Sequence, residues 1–179
     1  MNEHKIKSLL EDVAGSRMSV EQAFERLKNF PYQDLGFARV DTHRALRHGF
    51  SVVVFGAGKT SEELLEIIKA ISAKNDNVLI TKVDAFKGEY LQARMPELNW
   101  NKHGQCLSLY RDSTIYGKGV VLIVSAGTSD RGVVEESAET VKVMGNRYKV
   151  LFDVGVSGIH RLLKNKDYLT KANVIIVVG

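Results

Sequence analysis

Apolar residues in the first thirty positions recur with the spacing of helices. In residues 6–13 they fall at i, i+3, i+4 and i+7, which places them on one side of a helix. A second stripe covers residues 20–27 and includes Val20 and Phe24, which we expect to be buried. Ser19 and Gln22, at the start of this stripe, predict a capping box. Helices as short as these are marginal alone, so both need a partner surface.

Between residues 51 and 111 short continuous apolar runs alternate with helical spacing. The runs predict strands at residues 51–55, 77–83 and 105–111, and the helical spacing predicts helices after residue 60 and over residues 84–94. Residues 34–50 are polar and are predicted to be loop-like, with one helical turn. The pattern indicates a small α/β domain, which we place at residues 1–116.

A second pattern of the same kind begins at Gly119. Apolar runs predict strands at residues 120–124, 149–153 and 174–178, with helical segments between them. Strands without polar alternation are typical of a parallel sheet that is covered on both faces. We therefore predict a second α/β domain at residues 117–179, with a linker at residues 111–119.

Composition narrows the function classes. The 179 residues carry a formal net charge of +4 and a single cysteine, Cys106. The mild, scattered positive charge suits an anionic small molecule. We expect no nucleic-acid partner, because the sequence has no dense basic run that includes aromatic residues. One cysteine excludes an intrachain disulfide and fits a reducing cytoplasm. No run approaches the ~18 apolar residues of a membrane span, and the amino terminus lacks the apolar core of a signal peptide.

Two turns that follow predicted parallel strands carry side chains suited to chemistry. The first is SAGTSD, which contains Ser125, Gly127, Thr128, Ser129 and Asp130. Turns of this kind meet at the carboxyl edge of a parallel sheet, where hydroxyls and helix N–H groups bind phosphate. The alternative is that Ser129 or Asp130 only caps the following helix. The local pattern does not decide between the two.

The second turn, DVGVSGIHRLL, brings His160 and Arg161 to the same predicted edge. A histidine there can transfer protons near neutral pH, and an arginine can pair with a phosphate or carboxylate. Taken by themselves, the two residues favour a solvated surface at the start of a helix.

Two further motifs suggest chemistry less strongly. A polar cluster comprises Arg39, Asp41, His43 and Arg44, but its spacing matches no metal-ligand pattern and no metal site is expected. GAGKT at residues 56–60 lacks the glycines that a phosphate loop or a dinucleotide loop requires, because those positions hold Val53 and Ser61. Thr60 and Glu63 instead predict a capping box.

Together these motifs resemble the LarB family, a PurE-like group related to aminoimidazole ribonucleotide carboxylase. SAGTSD is similar to the PurE phosphate loop and SGIHRL to its histidine turn, while residues 34–60, EES, GNR and DVGVSGIHRLL resemble the LarB signature. The resemblance implies a PurE-like domain with a flavodoxin-like parallel sheet and three α/β/α layers. It also implies a homo-oligomer, which is an octamer in the intact family.

The activity that this resemblance implies belongs to nickel pincer cofactor biosynthesis. LarB proteins carboxylate the pyridine ring of nicotinic acid adenine dinucleotide with CO2 or bicarbonate and hydrolyse its phosphoanhydride. The products are pyridinium-3,5-biscarboxylic acid mononucleotide and AMP. By resemblance the SAGTSD residues and Arg161 would bind the substrate, and His160 and Asp130 would assist catalysis. No tightly bound cofactor is expected, although Mg²⁺ is compatible with the diphosphate.

The main nucleophile of that reaction is expected to lie outside these residues. An electron-poor pyridinium carbon attacks CO2 only after a thiolate adds to the ring. In LarB proteins this cysteine lies near the carboxyl terminus, and an acidic residue follows the last apolar strand, where this sequence ends at Gly179. Cys106 does not match that position and is expected to pack in a core. We therefore expect a truncated chain and leave open whether it is an enzyme.

Two alternatives stand beside this interpretation. One is the PurE activity itself, aminoimidazole ribonucleotide carboxylase or mutase, although the LarB-like first half argues against it. The other is an inactive fragment that only binds a nucleotide or a partner chain.

Overall fold

The computed structural model describes residues 3–28, 32–41, 52–73, 77–155 and 158–179. The helices are α1 (Glu3–Ala14), α2 (Val20–Lys28), α3 (Ser61–Ser72), α4 (Ala85–Arg94), α5 (Arg131–Val143), α6 (Ile159–Lys164) and α7 (Lys166–Lys171). The strands are β1 (Tyr32–Asp34), β2 (Arg39–Asp41), β3 (Val53–Phe55), β4 (Val78–Thr81), β5 (Asn99–Asn101), β6 (Cys106–Leu109), β7 (Val120–Ser125), β8 (Arg147–Leu151) and β9 (Val174–Val178). The predicted α/β fold class is therefore confirmed.

The first sheet has the strand order β3-β4-β6-β5. β3 and β4 are parallel, whereas β6 runs antiparallel to both of its neighbours. One face is covered by α3 and α4, which bury Leu64, Ile68 and Leu91 against the strands. The other face places Leu79 and Cys106 against Val143 of α5. The sheet is mixed because β6 runs antiparallel to β4, and β5, which the apolar pattern does not predict, adds an antiparallel hairpin at its edge.

Residues 32–41, most of them predicted to be loop-like, form an antiparallel ribbon of β1 and β2. The Asp34 carboxylate accepts the N–H of Gly36 at 2.8 Å and so stabilises the turn. Val40 is buried in the core beside α3. The ribbon is hard to predict because a single inward-facing apolar residue is enough to anchor so short a strand. Residues 42–50 of the predicted loop lie outside the described residues.

The second sheet is fully parallel, with the order β8-β7-β9. On one face α5 packs Val134 and Ala138 against Ile123. On the other face α6 and α7 pack Leu162 and Leu169 against Leu122 and its neighbours. This arrangement gives the predicted three layers. β9 lies at the edge of the sheet, where Val177 is 73% exposed.

Hydrogen bonds hold the segment between the two sheets in place. Asn77, which is only 8% exposed, accepts the N–H groups of Arg111 and Asp112 at 2.8 Å each. Its amide donates to the carbonyls of Asp112 and Val143, at 2.8 and 3.2 Å. Farther along, the N–H groups of Tyr116 and Gly117 donate to the Gly145 carbonyl. The two sheets are therefore joined by a fixed connection.

The amino-terminal helices begin as predicted but bury less than predicted. Ser19 and Gln22 form the expected capping box, with reciprocal bonds of 3.1 Å. Ala23 is buried, but Val20 and Phe24 are 66% and 64% exposed, so their predicted burial was wrong. Helical spacing fixes which residues share a side of α2, but it does not fix how much of that side another element covers.

Candidate functional site at the carboxyl edge of the second sheet

Three strands end side by side around Ala126. The N–H of this residue donates to Val178 of β9 at 2.9 Å, and its carbonyl accepts the N–H of Gly155, which follows β8, at 3.1 Å. A Cβ atom at Gly155 would lie 2.6 Å from the Ala126 carbonyl oxygen, so only glycine allows this approach. The SAGTSD turn and the turn after β8 therefore share one edge of the sheet, where ligands of parallel α/β sheets gather.

Internal hydrogen bonds close the SAGTSD turn. Ser125 is fully buried, and its hydroxyl donates to the Gly127 carbonyl. The Gly127 N–H donates to the Asp130 carboxylate at 2.8 Å, and the Ser129 hydroxyl lies 3.4 Å from the other carboxylate oxygen. Thr128 and Ser129 are exposed and form the single helical turn that leads into α5. Ser125 and Asp130 thus shape the turn, while Thr128 and Ser129 keep accessible hydroxyls.

The turn after β8 contains an ion pair that the sequence pattern does not reveal. Arg161 donates from Nη1 to Oδ2 of Asp153, and the two side chains are 40% and 46% exposed. Asp153 has a φ of 56°, a conformation that aspartate tolerates better than most residues. At Gly158 a Cβ atom would lie 2.4 Å from Nε of Arg161. The pair holds Arg161 at the edge, and at this exposure its stabilisation is small enough for an anionic ligand to compete with it.

His160 is exposed at the second position of α6. It therefore lies after the same turn as Arg161, with its imidazole accessible to solvent. A proton-transfer group needs such access to a reacting molecule.

The second predicted cluster is described only in part. Arg39 contacts the Asp34 carboxylate at 3.3 Å across the β1–β2 ribbon. Asp41 is the last residue of β2, and His43 and Arg44 lie outside the described residues. Within the described ranges, no group of three or more His, Cys, Asp or Glu side chains is arranged to hold a metal ion.

Cys106 lies in the core of the first sheet. It is fully buried beside Leu79 and Val143, and its S–H donates to the Gly104 carbonyl at 3.0 Å. Burial raises the pKa of this thiol to about 12, and the nearby carboxylates of Glu136 and Glu139 add to the shift. The thiol therefore stays protonated near neutral pH and is neither a nucleophile nor a metal ligand.

The raised pKa of Cys106 predicts a large loss of reactivity. A thiol reacts as its thiolate, and little thiolate forms until the pH approaches the pKa of the thiol. At pH 8 we therefore expect Cys106 in the native protein to react with a thiol-specific disulfide reagent at least ~100-fold more slowly than in urea. Ser113→Cys, at an exposed position, is the matched control and should add one rapidly reacting thiol. Rapid stoichiometric labelling of the native, unsubstituted chain would contradict the assignment.

The fold and this edge define an α/β protein in which a four-stranded mixed-sheet unit precedes a three-stranded parallel sheet with a polar carboxyl edge. Residues 32–111 match the family model of the LarB/PurE-like N-terminal domain. The mixed-sheet unit is therefore similar to this domain family, which supports the resemblance to LarB proteins. An uncharacterized protein of Methanocaldococcus jannaschii, MJ0165, is 27% identical over 180 residues, covering 97% of this chain and 70% of that protein. That similarity extends over both sheets.

A last feature of the helices is their length and apolar character. In the parts of the chain that the structure describes, none is both long enough and apolar enough to cross a membrane.

Proposed function

We propose that the carboxyl edge of the second sheet binds nicotinic acid adenine dinucleotide and that the chain takes part in LarB-type nickel pincer cofactor synthesis. The observation that supports this most directly is the convergence of three strand ends at Ala126, which puts the SAGTSD turn beside the turn bearing His160 and Arg161. The match of residues 32–111 to the LarB/PurE-like N-terminal domain model supports this choice of substrate class.

The polar groups at this edge have separate roles in the proposal. The hydroxyls of Thr128 and Ser129 donate to a phosphate, and the first N–H groups of the following helix supplement them. Arg161 exchanges its contact with Asp153 for a phosphate oxygen, which an arginine binds through paired N–H donors. Asp130 carries a carboxylate that accepts hydrogen bonds, so it suits a ribose hydroxyl better than a phosphate. His160 transfers a proton at the same edge.

The carboxylation step needs a thiolate that Cys106 does not supply. This cysteine is the one cysteine of the sequence, and both its burial and its pKa of about 12 keep it from adding to a pyridinium ring. A second candidate function is therefore nucleotide binding without turnover by these 179 residues. In that case the complete reaction would require a thiolate from elsewhere.

Calorimetric titration combined with an isotope assay tests both candidates. The purified chain is titrated with nicotinic acid adenine dinucleotide, with AMP and with aminoimidazole ribonucleotide, and is then incubated with the dinucleotide, Mg²⁺ and labelled bicarbonate. We expect saturable binding of the dinucleotide, weaker binding of AMP and no label in the pyridine product. Label incorporation would favour the full activity, whereas preference for the purine ribonucleotide would contradict the proposed substrate.

Ser129→Asp is expected to weaken dinucleotide binding by about tenfold or more, which corresponds to roughly 1.4 kcal/mol. The substitution removes a hydroxyl donor and places a carboxylate beside the negatively charged phosphates. Ser113→Asp changes the charge equally, but it precedes the amino end of β7, at the opposite end of the sheet. Equal affinities of the two variants would argue against a phosphate at the SAGTSD turn.

A further inference from the structure

The β5–β6 turn, residues 101–105, lies directly against the start of α5. At Gly104 a Cβ atom would lie 2.9 Å from the backbone nitrogen of Glu136, and at Gly132 it would lie 3.2 Å from the carbonyl oxygen of His103. Glycine at both positions lets the two backbones come closer than side chains would permit. The first unit therefore contacts the helix next to the SAGTSD turn.

The side chain of Asn101 links the two segments. Its Oδ1 accepts the Gly104 N–H at 2.9 Å, and its amide donates to Oε2 of Glu135 at 2.8 Å. The other oxygen of Glu135 lies 3.5 Å from Nε of Arg131. Arg131 is the first residue of α5 and directly follows Asp130. A continuous series of contacts thus runs from the first unit to the end of the SAGTSD turn.

Two more carboxylates on the same side of α5 are bound by the first sheet. Glu136 pairs with Lys82 at 2.6 Å. Glu139 accepts the hydroxyls of Ser108 and Tyr110 at 3.0 and 2.7 Å. Burial, followed by the bond to Glu139, raises the pKa of Tyr110, so its phenol remains a donor over the usual pH range. Contacts over two turns of the helix fix both its rotation and its position along its axis.

We infer that the β5–β6 turn of the first unit positions the SAGTSD turn and that Asn101 is the positioning residue. Because residues 128–130 lead directly into α5, displacement of the first turn of this helix also moves the hydroxyls of Thr128 and Ser129. Asn101 acts through Glu135 and Arg131 and does not itself contact the ligand. The consequence for nucleotide binding rests on the proposed function, whereas the ordering of the turn does not.

A paired substitution separates positioning from general stability. N101D keeps an acceptor for the Gly104 N–H but sets a carboxylate against that of Glu135. Adding E135Q restores a donor, because the new glutamine amide can donate to the new carboxylate. N99D makes the same change at an exposed position of the same strand and serves as the control. All variants are studied by hydrogen exchange of the backbone amides of residues 126–133 and by urea denaturation.

We expect N101D to speed exchange in residues 126–133 by about tenfold. The N101D/E135Q pair should return the exchange rate to within about twofold of the original, and N99D should leave it unchanged. Dinucleotide affinity should fall and recover in parallel. Unchanged exchange in N101D, or no recovery in the pair, would overturn the inference. If the unsubstituted chain binds no nucleotide, the proposed function fails, and the exchange rates still decide whether Asn101 positions the turn.

Discussion

Replacing Asn77 by alanine is expected to lower the free energy of unfolding by about 3 kcal/mol or more. This side chain makes four hydrogen bonds, to the backbone of Arg111, Asp112 and Val143. Its loss leaves two N–H donors unpaired next to a nearly buried site, and each such group costs about 1–3 kcal/mol. The connection between the sheets and the end of α5 would loosen together. Urea denaturation followed by far-ultraviolet circular dichroism measures the change.

Two variants make the Asn77 result specific. Asn77→Asp keeps the acceptor for Arg111 and Asp112 but sets a carboxylate against carbonyl oxygens, so its loss of stability should be substantial too. Asn99→Ala removes an exposed asparagine and should change stability by less than about 0.5 kcal/mol. A loss below about 1 kcal/mol for Asn77→Ala would mean that water replaces the missing bonds.

Gly88→Ala is expected to destabilise the protein by about 2 kcal/mol, although alanine normally improves a helix interior by roughly 0.5–1 kcal/mol. Gly88 lies within α4, and an added Cβ atom would be only 2.3 Å from Cε2 of the Trp100 ring. The indole must move, together with Lys102, whose amine lies 4.8 Å from the ring centre. Since the chain has one tryptophan, its fluorescence should shift toward longer wavelength.

The cause of the Gly88→Ala effect can be tested by removing the ring. In a Trp100→Leu background the same substitution should be neutral or stabilising, because the added methyl group no longer meets the indole and helix propensity decides the outcome. Circular dichroism replaces fluorescence for this pair. An equal loss of stability in both backgrounds would show that the backbone of α4, rather than the indole, resists the change.

Local signals in the sequence predicted local structure well. The capping boxes at Ser19 and Thr60 are present because their partners lie three residues away along the chain. The carboxyl-edge turns were predicted because parallel strands place their ends together wherever the intervening helices lie. The strands β1, β2 and β5 were missed because each has three mostly polar residues, whereas β3, which is equally short, lies in a continuous apolar run.

Contacts between distant segments were beyond prediction from sequence. Asn101 and Glu135 are 34 positions apart, and although Glu135 begins the EES motif, nothing in that motif indicates Asn101 as its partner. Asp153 could have been suspected from its place between a strand and a glycine, but its partner Arg161 is identified only once the turn is folded. The exposure of Val20 and Phe24 likewise depends on which surface the helix meets, which the spacing of its own residues does not specify.

α5 packs between the two sheets: its apolar residues contact the parallel sheet, and toward the mixed-sheet unit it presents three carboxylates together with Val143. Separating either sheet from this helix would expose the interior of that sheet. The two halves should therefore unfold cooperatively rather than independently. Because linkage is reciprocal, any molecule that stabilises the amino end of the helix also stabilises the contacts between the side of the helix and the mixed sheet. A ligand at one edge would thus stabilise residues far along the chain that it never touches.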